Sequence, residues 1–381
     1  MVAVSSVKKL LRAPIKPLLP GLLLWLLLFA PAQAATALRV VLKEDVKQVA
    51  VGSSSNAVIR DRAGNVLGKV QGMSGFRAES GNGNVRLGQW ASRQLQIDPQ
   101  GDGYVWIGDR WYRGETQLIY DGSDLTVINQ VNVEDYLYSV VGGEMVASWP
   151  LEALKAQAVA ARSYALHKQQ HASNRLYDLK STTASQVYKG ITSETPRTVE
   201  AVNSTQGQVL THGGQPILAV FHSSSGGHTE NVEDIWHRPL PYLRGVVDYD
   251  QTAPVYQWEK IISNAEMARR LGNLGTIRSL IPQQTTPQGR LLKLKVVGDR
   301  ATKTISGNEF RKALDLRSTL LQVNPTPQGF LISGRGFGHG VGLSQWGAYY
   351  LAQQGANYRQ ILGHYYKQVK LALINTRVAK N

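Results

Sequence analysis

Cysteine is absent from the 381 residues of this chain. The absence excludes disulfide bonds, thiolate nucleophiles and cysteine-ligated metals, so packing must stabilise the folded protein. The sequence also lacks internal repeats and low-complexity tracts. A chain of this length can bury a substantial core and is long enough for about two domains.

Long apolar runs are lacking except at the N-terminus. There a basic segment without acidic residues precedes the apolar run Leu22–Ala30, and Ala32-Gln33-Ala34 supplies the small residues of a signal-peptidase site. The run is short of the roughly 20 residues that a membrane span needs. Residues 1–34 are therefore predicted to be an export signal, with an uncleaved anchor as the alternative. No integral membrane span is expected after its removal, and the mature protein is expected in the periplasm, the cell wall or the extracellular space.

Acidic residues are scarce: 27 Asp and Glu stand against 42 Lys and Arg, a formal net charge of +15. Without the four basic residues of the signal the charge is +11. Such a surplus attracts anionic partners. Nucleic acid is not expected as the partner, because an exported protein rarely meets it. Anionic wall polymers are predicted instead, with a merely soluble basic surface as the alternative.

The overall pattern predicts an α+β fold that is strand-rich with a few helices. Residues 36–120 are predicted as a β-rich N-terminal region, and residues 121–381 as a second domain with an accessory lobe at about 258–325. The clearest early strands are Ala37–Leu42, Tyr104–Ile107, Thr116–Ile119 and Leu125–Val131, separated by turns rich in Gly, Asn and Asp.

The chain after residue 132 carries the helix signals. A short helix is predicted over Val133–Val141, ending at Gly142-Gly143. The strongest signal is Trp149–Gln170, where Pro150 suits the first helical position and alanines mark a narrow apolar face. Later elements are predicted as strands at Val187-Tyr188, Gln208–Thr211, Pro216–Phe221 and Arg290–Val297, and as helices at Ser263–Leu271, Gly307–Leu316, Gln345–Gln354 and Tyr358–Tyr365.

Glu144 follows two glycines and is predicted to lie between two helices. Gly142 and Gly143 free the backbone and would leave space for a bulky ligand beside the acid. Partial burial would raise the pKa of the Glu144 carboxyl toward neutrality and suit it to general acid/base catalysis. An ordinary solvated glutamate in a loop is the alternative.

Glycines alternate along Gly334–Gly342, GRGFGHGVG. This density predicts close backbone approach or several turns with positive φ. No Gly-Lys-Ser/Thr follows, which excludes a phosphate loop, and Ser344 misses the last glycine of the G-x-S-x-G nucleophile motif. His339 is predicted either to hydrogen-bond a substrate or to hold this loop.

The segment Phe221–Thr229, FHSSSGGHT, combines hydroxyl side chains with glycines at the end of a predicted strand. This composition suits a polar cleft floor that contacts sugar hydroxyls. A zinc site formed by His222, His228 and His237 is the alternative, although its spacing matches no known zinc motif.

Lys155 and Arg162 share one face of the predicted helix Trp149–Gln170. They form either a solvated basic stripe or a contact surface for a wall polymer.

Three blocks of the sequence resemble the SpoIID/LytB family, named after the stage II sporulation protein D and an amidase enhancer. They are Val131–Tyr164, VNVEDYLYSVVGGEMVASWPLEALKAQAVAARSY; Pro216–Leu243, with FHSSSGGHTENVEDIW and PYL; and Gly334–Tyr366, GRGFGHGVGLSQWGAYYLAQQGANYRQILGHYY. The segment SGNEFRKALDLRST at 306–319 fits as well. The resemblance spans most of residues 120–370 and covers the N-terminal β region only loosely.

The resemblance implies a peptidoglycan lytic transglycosylase that needs no cofactor and prefers glycan strands stripped of stem peptides. The family's catalytic glutamate falls on Glu144, which would protonate the glycosidic oxygen and then take a proton from the sugar 6-hydroxyl to close a 1,6-anhydro ring. Substrate-binding residues are expected in and around the matched blocks: Lys155, Arg162, Tyr164, Gln186, Tyr188, His222, Ser223, Ser224, Gly226, Gly227, Arg335, His339, Ser344 and Gln345.

The family pattern is not met at one place. Some members bind a structural zinc through a His-Cys pair before Gln-Val-Tyr and a Cys before Gly-Gly. Here Ala184, Ser185 and Ser225 hold those positions, so no metal is predicted. The alternative function is a non-catalytic wall-binding module that enhances a separate amidase. A third is an envelope-structural protein whose basic face binds anionic polymers.

Overall fold

The structure, a computed structural model, describes residues 37–272 and 274–374. The predicted export signal at 1–34 lies outside the described residues. The first described segment is built of short strands. In chain order they are β1 (Ala37–Val46), β2 (Gln48–Ser53), β3 (Ala57–Asp61), β4 (Val66–Val70), β5 (Gly75–Gly81), β6 (Asn84–Leu87), β7 (Trp90–Ser92), β8 (Gln94–Pro99), β9 (Val105–Ile107), β10 (Arg110–Tyr112), β11 (Glu115–Tyr120) and β12 (Leu125–Asn132).

These strands form two sheets. One has the order β13-β1-β12-β11-β8-β3-β4, where β13 is Leu179–Lys180, and the other has the order β10-β9-β2-β5-β6-β7. Alternation along β8 buries Leu95 and Ile97, as expected when one face of a strand meets the core. Leu38 of β1 pairs with Val131 of β12 in an antiparallel register. The N-terminal strands therefore share a sheet with the chain that leads into the first helix.

The helices within the described residues are α1 (Val133–Glu144), α2 (Leu151–Gln170), α3 (Pro196–Asn203), α4 (Val232–Trp236), α5 (Asn264–Leu271), α6 (Gly307–Ala313), α7 (Gln345–Gln353) and α8 (Tyr358–Tyr365). The apolar face of α2 is not narrow, because every residue of 156–163 is buried. Small alanines let neighbouring elements approach this helix from several sides. It is the central helix of the main core, which extends from Leu38 to Tyr366.

The remaining strands are β14 (Gln208–His212), β15 (Gln215–Pro216), β16 (Phe221–His222), β17 (Gln257–Ser263), β18 (Ile277–Thr285), β19 (Leu291–Gly298), β20 (Thr302–Ser306), β21 (Leu321–Thr326), β22 (Gly329–Arg335), β23 (Leu343–Ser344) and β24 (Lys370–Leu373). The long strand predicted over Pro216–Phe221 is wrong. Only its ends are strands, because the Ala219 and Val220 N–H groups donate to carbonyls two residues back. The strand predicted at Val187-Tyr188 is also wrong, since this segment joins no sheet.

A second hydrophobic cluster lies between Trp258 and Ile332, in the region predicted as the accessory lobe. It packs the sheets β17-β22-β21 and β18-β19-β20 against α5 and α6. A capping box starts α6: the Ser306 hydroxyl accepts from the Glu309 N–H, and the Glu309 carboxylate accepts from the Ser306 N–H. The helix ends at Ala313, earlier than predicted, and its last turn reaches the cleft described below. The strand-rich α+β class is confirmed.

Candidate active site

A cleft of about 800 Å³ opens between the main core and the lobe. Its lining comes from elements far apart in the chain. The residues are Glu144, Tyr164, Thr183, Ala184, Ser185, Val220, Phe221, His222, Ser223, Trp236, Arg311, Lys312, Asp315, Leu316, Phe337, Gly338, His339 and Gln345. Six residues predicted from the sequence meet here: Glu144, Tyr164, His222, Ser223, His339 and Gln345.

Glu144 is the last residue of α1, so the predicted end of this helix at the glycines is wrong. Both glycines lie inside the last turn. A Cβ at Gly142 would lie 1.9 Å from the Ser193 carbonyl oxygen, and one at Gly143 would lie 2.7 Å from the Val187 carbonyl oxygen. The glycines therefore let the backbone of residues 187–193 pack against α1. They do not leave the space for a ligand that the sequence suggested.

The surroundings of the Glu144 carboxyl favour its protonated form. Burial raises its pKa above the ordinary value, against the opposing effects of hydrogen bonds from the Val187 N–H and the Gln345 side chain. The Val187 N–H donates to Oε1 at 2.7 Å and fixes the side chain. The C-terminal end of α1 is the negative end of the helix dipole, which further disfavours a carboxylate there. This acid can hold its proton at a higher pH than a solvated glutamate.

The other acid among the described residues that line the cleft is Asp315. Its carboxylate accepts a hydrogen bond from Arg270 at 2.8 Å, and this partner holds the pKa of Asp315 below its ordinary value. Asp315 is therefore kept ionised and paired. Glu144 is the carboxyl in this cleft that is suited to exchange a proton.

His222 and His339 are neutral imidazoles in the cleft. Burial lowers the pKa of His222 well below its ordinary value and that of His339 to about 4. His339 donates from Nε2 to the Phe221 carbonyl at 2.9 Å, and its Nδ1 accepts from the Val341 N–H at 3.1 Å. Because both ring nitrogens bond to backbone groups, the His339 side chain holds the glycine loop. Of its two predicted roles, this geometry favours holding the loop over hydrogen-bonding a substrate. His222 donates from Nδ1 to the Val341 carbonyl, and its Nε2 has no partner among the described residues.

The glycine loop shows the predicted positive φ angles: 74° at Gly336, 120° at Gly338, 80° at Gly340 and 72° at Gly342. The close approach is also present. A Cβ at Gly340 would lie 2.3 Å from the guanidinium carbon of Arg290. This buried arginine lies 3.5 Å from Glu230, so an ion pair of the core supports the loop from behind.

The predicted polar floor reaches the cleft only in part. Ser223 lines it, but the Ser224 hydroxyl donates to Asp250 and the Ser225 hydroxyl to Asp248, both in the interior. These two serines are fully buried and support the floor from below. Of the residues of this segment that were predicted to bind substrate, Ser224, Gly226 and Gly227 do not line the cleft.

The basic stripe predicted on the long helix is wrong at Arg162. This side chain is fully buried and forms an ion pair with Glu134, with Nη2 and Oε2 2.6 Å apart. Lys155 pairs with Glu152 at 2.8 Å on the outer side of α2. Neither residue lines the cleft.

Four other predicted binding residues also lie outside the cleft. The buried Gln186 accepts from a tyrosine hydroxyl at 3.0 Å, and the Tyr188 hydroxyl donates to a buried asparagine at 2.7 Å. Ser344 caps the N-terminus of α7 and is fully buried. Arg335 is exposed and borders a different groove on the lobe. The first three therefore hold the fold together.

The cleft residues that were not predicted include two exposed aromatic and two basic side chains. Trp236 and Phe337 are 41% and 42% exposed, and their rings border the opening. Both lie in the quoted family blocks, so an exposed aromatic at the cleft could have been suspected. Arg311 and Lys312 come from α6 of the lobe. Nothing in the local sequence indicates that α6 faces Glu144.

The positions of the family's structural zinc do not fit a metal here. Ser225 donates to Asp248, and the Ser185 hydroxyl accepts from the Lys180 N–H at 3.1 Å. Ala184 offers no ligand atom. Within residues 37–272 and 274–374, no group of three or more His or acidic side chains is arranged to hold a metal ion, the alternative His222, His228 and His237 set included.

None of the described helices is both long and apolar enough to cross a membrane.

Comparison with known proteins gives two family matches. A family model described as Stage II sporulation protein (SpoIID) matches residues 121–212, and a domain of unknown function (DUF8618) matches residues 242–342. The second match covers most of the lobe and ends at the glycine loop.

Several curated proteins are similar to the chain. It is 34% identical to the Stage II sporulation protein D of Bacillus subtilis, over 66% of this chain and 79% of that protein. It is also 34% identical to an uncharacterised protein of Brachyspira hyodysenteriae, over 72% of this chain and 75% of that protein. The Amidase enhancer of Bacillus subtilis is 32% identical over 60% of this chain, which corresponds to 39% of the enhancer.

Proposed function

The chain belongs to the SpoIID/LytB family, and we propose that it is a lytic transglycosylase that cleaves the glycan strands of peptidoglycan. The observation that carries the proposal is the state of Glu144. It is a largely buried carboxyl with a raised pKa, fixed by a backbone N–H at the wall of an open cleft.

The proposed chemistry needs one acid. Protonated Glu144 donates its proton to the glycosidic oxygen as the bond from C1 to that oxygen breaks. The resulting carboxylate then accepts the proton of the sugar 6-hydroxyl while the oxygen of that hydroxyl bonds to C1. This step closes a 1,6-anhydro ring and restores the protonated Glu144. A glycosidase that uses water or a covalent intermediate needs a second free carboxylate. Asp315 is held in its ion pair, which favours the single-acid route.

The rest of the cleft suits a carbohydrate. The exposed faces of Trp236 and Phe337 can cover the apolar faces of sugar rings. The Trp236 ring lies 5.1 Å from the His339 ring, so it is supported from below. The Ser223 hydroxyl offers a partner for sugar hydroxyls. His222 stays neutral near pH 7, and its Nε2 is an acceptor buried beneath the surface of the cleft.

We also propose that the protein acts outside the cytoplasmic membrane, on the strength of its N-terminal sequence and its basic charge. Expression in a secreting host should give a mature protein that lacks residues 1–34. A mature protein that retains its original N-terminus would contradict a cleaved export signal.

The second candidate is a wall-binding enhancer of an amidase. The similarity to a protein named Amidase enhancer favours it, although the chain corresponds to 39% of that protein. An enhancer needs no acid in its cleft. The amount of peptide released by an added amidase would then rise whether residue 144 is glutamate or glutamine.

The test uses the mature protein, its Glu144→Gln variant and a Glu79→Gln variant as the matched surface control. Each is incubated with peptide-free glycan strands, and products are analysed by mass spectrometry for 1,6-anhydro ends. We expect such ends from the wild type and from Glu79→Gln, and none above background from Glu144→Gln. Equal release by all three proteins, or by none of them, would refute the catalytic role.

A further inference from the structure

The lobe contributes an unneutralised positive charge to the cleft. Arg311 and Lys312 lie in the last turn of α6 and line the cleft. The Arg311 Nε donates to the Leu316 carbonyl at 3.2 Å, which anchors the side chain. Neither Arg311 nor Lys312 forms an ion pair with a residue that the structure describes, whereas Arg270 and Arg290 of the lobe each have an acidic partner.

Arg311 is half-buried, and burial lowers its pKa. Its charge helps to lower the pKa of His222 and His339 and so to keep both rings neutral. No acidic side chain among the described residues forms an ion pair with Arg311. Asp315 contacts Arg270, which it shares with Glu266, and Glu144 is biased toward its neutral form. A half-buried cation without an acidic partner favours the entry of an anion.

We propose that Arg311, with Lys312 beside it, forms a carboxylate subsite whose ligand is the lactyl carboxylate on alternate sugars of the glycan strand. The proposal rests on the proposed function, because it names the substituent that the same cleft reads. A guanidinium binds a carboxylate through two parallel N–H donors, which gives direction as well as affinity.

This subsite would make substrate binding depend on whether stem peptides are attached to the glycan strand. The lactyl carboxyl is a free anion only where no stem peptide is attached. A peptide converts it into a neutral amide and adds bulk at the same point. The lobe, which matches a domain of unknown function, would then be the part that selects the strand, while the main core supplies the acid.

Binding can be measured without cleavage by using the Glu144→Gln protein and isothermal titration calorimetry. The ligands are three oligosaccharides: one with free lactyl carboxylates, one with these groups converted to simple carboxamides, and one bearing stem peptides. A hydrogen-bonded ion pair is worth about 10-fold to 100-fold in affinity. We expect the free acid to bind tighter than the carboxamide by that factor, and the peptide-bearing ligand to bind no better than the carboxamide.

Substitutions in the Glu144→Gln background assign the preference to the residue. Arg311→Gln should remove the advantage of the acid and leave carboxamide binding unchanged, and Arg311→Lys should retain part of it. Arg269→Gln, which removes an exposed charge from α5 of the same lobe, should leave the ratio unchanged.

Three results would overturn the subsite: equal binding of acid and carboxamide while Arg311 is intact, a preference that survives Arg311→Gln, or tightest binding of the peptide-bearing strand. The last would indicate that a stem-peptide carboxylate is the ligand. The first and third results need no substitution at Arg311, so they can be observed even if Arg311→Gln does not fold.

The cleavage assay separates this subsite from the proposed function. Production of 1,6-anhydro ends together with equal acid and carboxamide binding would refute the subsite alone. An Arg311-dependent preference in a protein that cleaves nothing would refute the transglycosylase and leave the anion subsite in place.

Discussion

Replacing Gly142 by alanine tests the way in which the structure positions the Glu144 carboxyl. In an isolated helix this change stabilises by about 0.5–1 kcal/mol, because alanine is the better helix former. Here the new Cβ would lie 1.9 Å from the Ser193 carbonyl oxygen, a backbone atom that cannot turn aside. Overpacking of this kind costs about 1–3 kcal/mol. We therefore expect Gly142→Ala to lower the free energy of unfolding by about 1–2 kcal/mol.

The matched control is Gly363→Ala, an exposed glycine in α8 whose added Cβ would meet no atom within 4 Å. It should raise the free energy of unfolding by up to about 1 kcal/mol. Both variants are compared with the wild type by urea denaturation. Cleavage should also fall in Gly142→Ala, since the displaced segment carries the Val187 N–H that holds Glu144. If Gly142→Ala is as stable as Gly363→Ala, the glycines do not serve close packing and the reasoning fails.

Three further outcomes are expected. Arg162→Met should destabilise the fold by about 3–5 kcal/mol, because it leaves the buried Glu134 carboxylate without its cation. Lys155→Met, at a pair that is partly open to solvent, should cost at most about 1 kcal/mol, and similar losses in urea denaturation would contradict this. Burial raises the pKa of Glu115 to about 7, so the folded state binds the proton of this carboxyl more tightly than the unfolded chain does. Protonation of Glu115 therefore stabilises the fold fully below pH 4.5, and this stabilisation is lost as the pH rises to about 7. The fall in unfolding free energy over that range should be smaller in Glu115→Gln, and an unchanged slope would show that another group is responsible. Cleavage should decline as the pH rises through the raised pKa of Glu144, since the first step needs the protonated acid, and a rate that is flat up to pH 9 would argue against it.

Local patterns in the sequence predicted the elements that local physics decides. The helix Tyr358–Tyr365 has its predicted bounds, and a capping box at Asn357 explains its start. The long helix was predicted with its correct end at Gln170, but it begins at Leu151, because Pro150 is its N-cap and not its first helical residue. The glycine loop has its predicted positive φ angles because few other residues adopt them.

The errors occur where contacts distant in sequence decide. Gly142-Gly143 has the sequence of a helix end, but the approach of residues 187–193 makes glycine necessary inside the helix. Arg162 has the spacing of a surface stripe, but Glu134 of α1 pairs with it in the core. Arg311 reaches the cleft only because the lobe folds against the main core. Glu144 and several of the polar residues that line the cleft with it were predicted from the sequence, but the two basic residues that the lobe adds were not.

The most direct test of the central claim is digestion of peptide-free glycan strands in water enriched in oxygen-18, with mass spectrometry of the new ends. We expect ends that lack one water and carry no oxygen-18, because the sugar's own 6-hydroxyl attacks C1, and we expect Glu144→Gln to form none. Reducing ends labelled with oxygen-18 would show hydrolysis by water and contradict the single-acid mechanism. Unlabelled anhydro ends formed equally by Glu144→Gln would contradict the role of Glu144 itself.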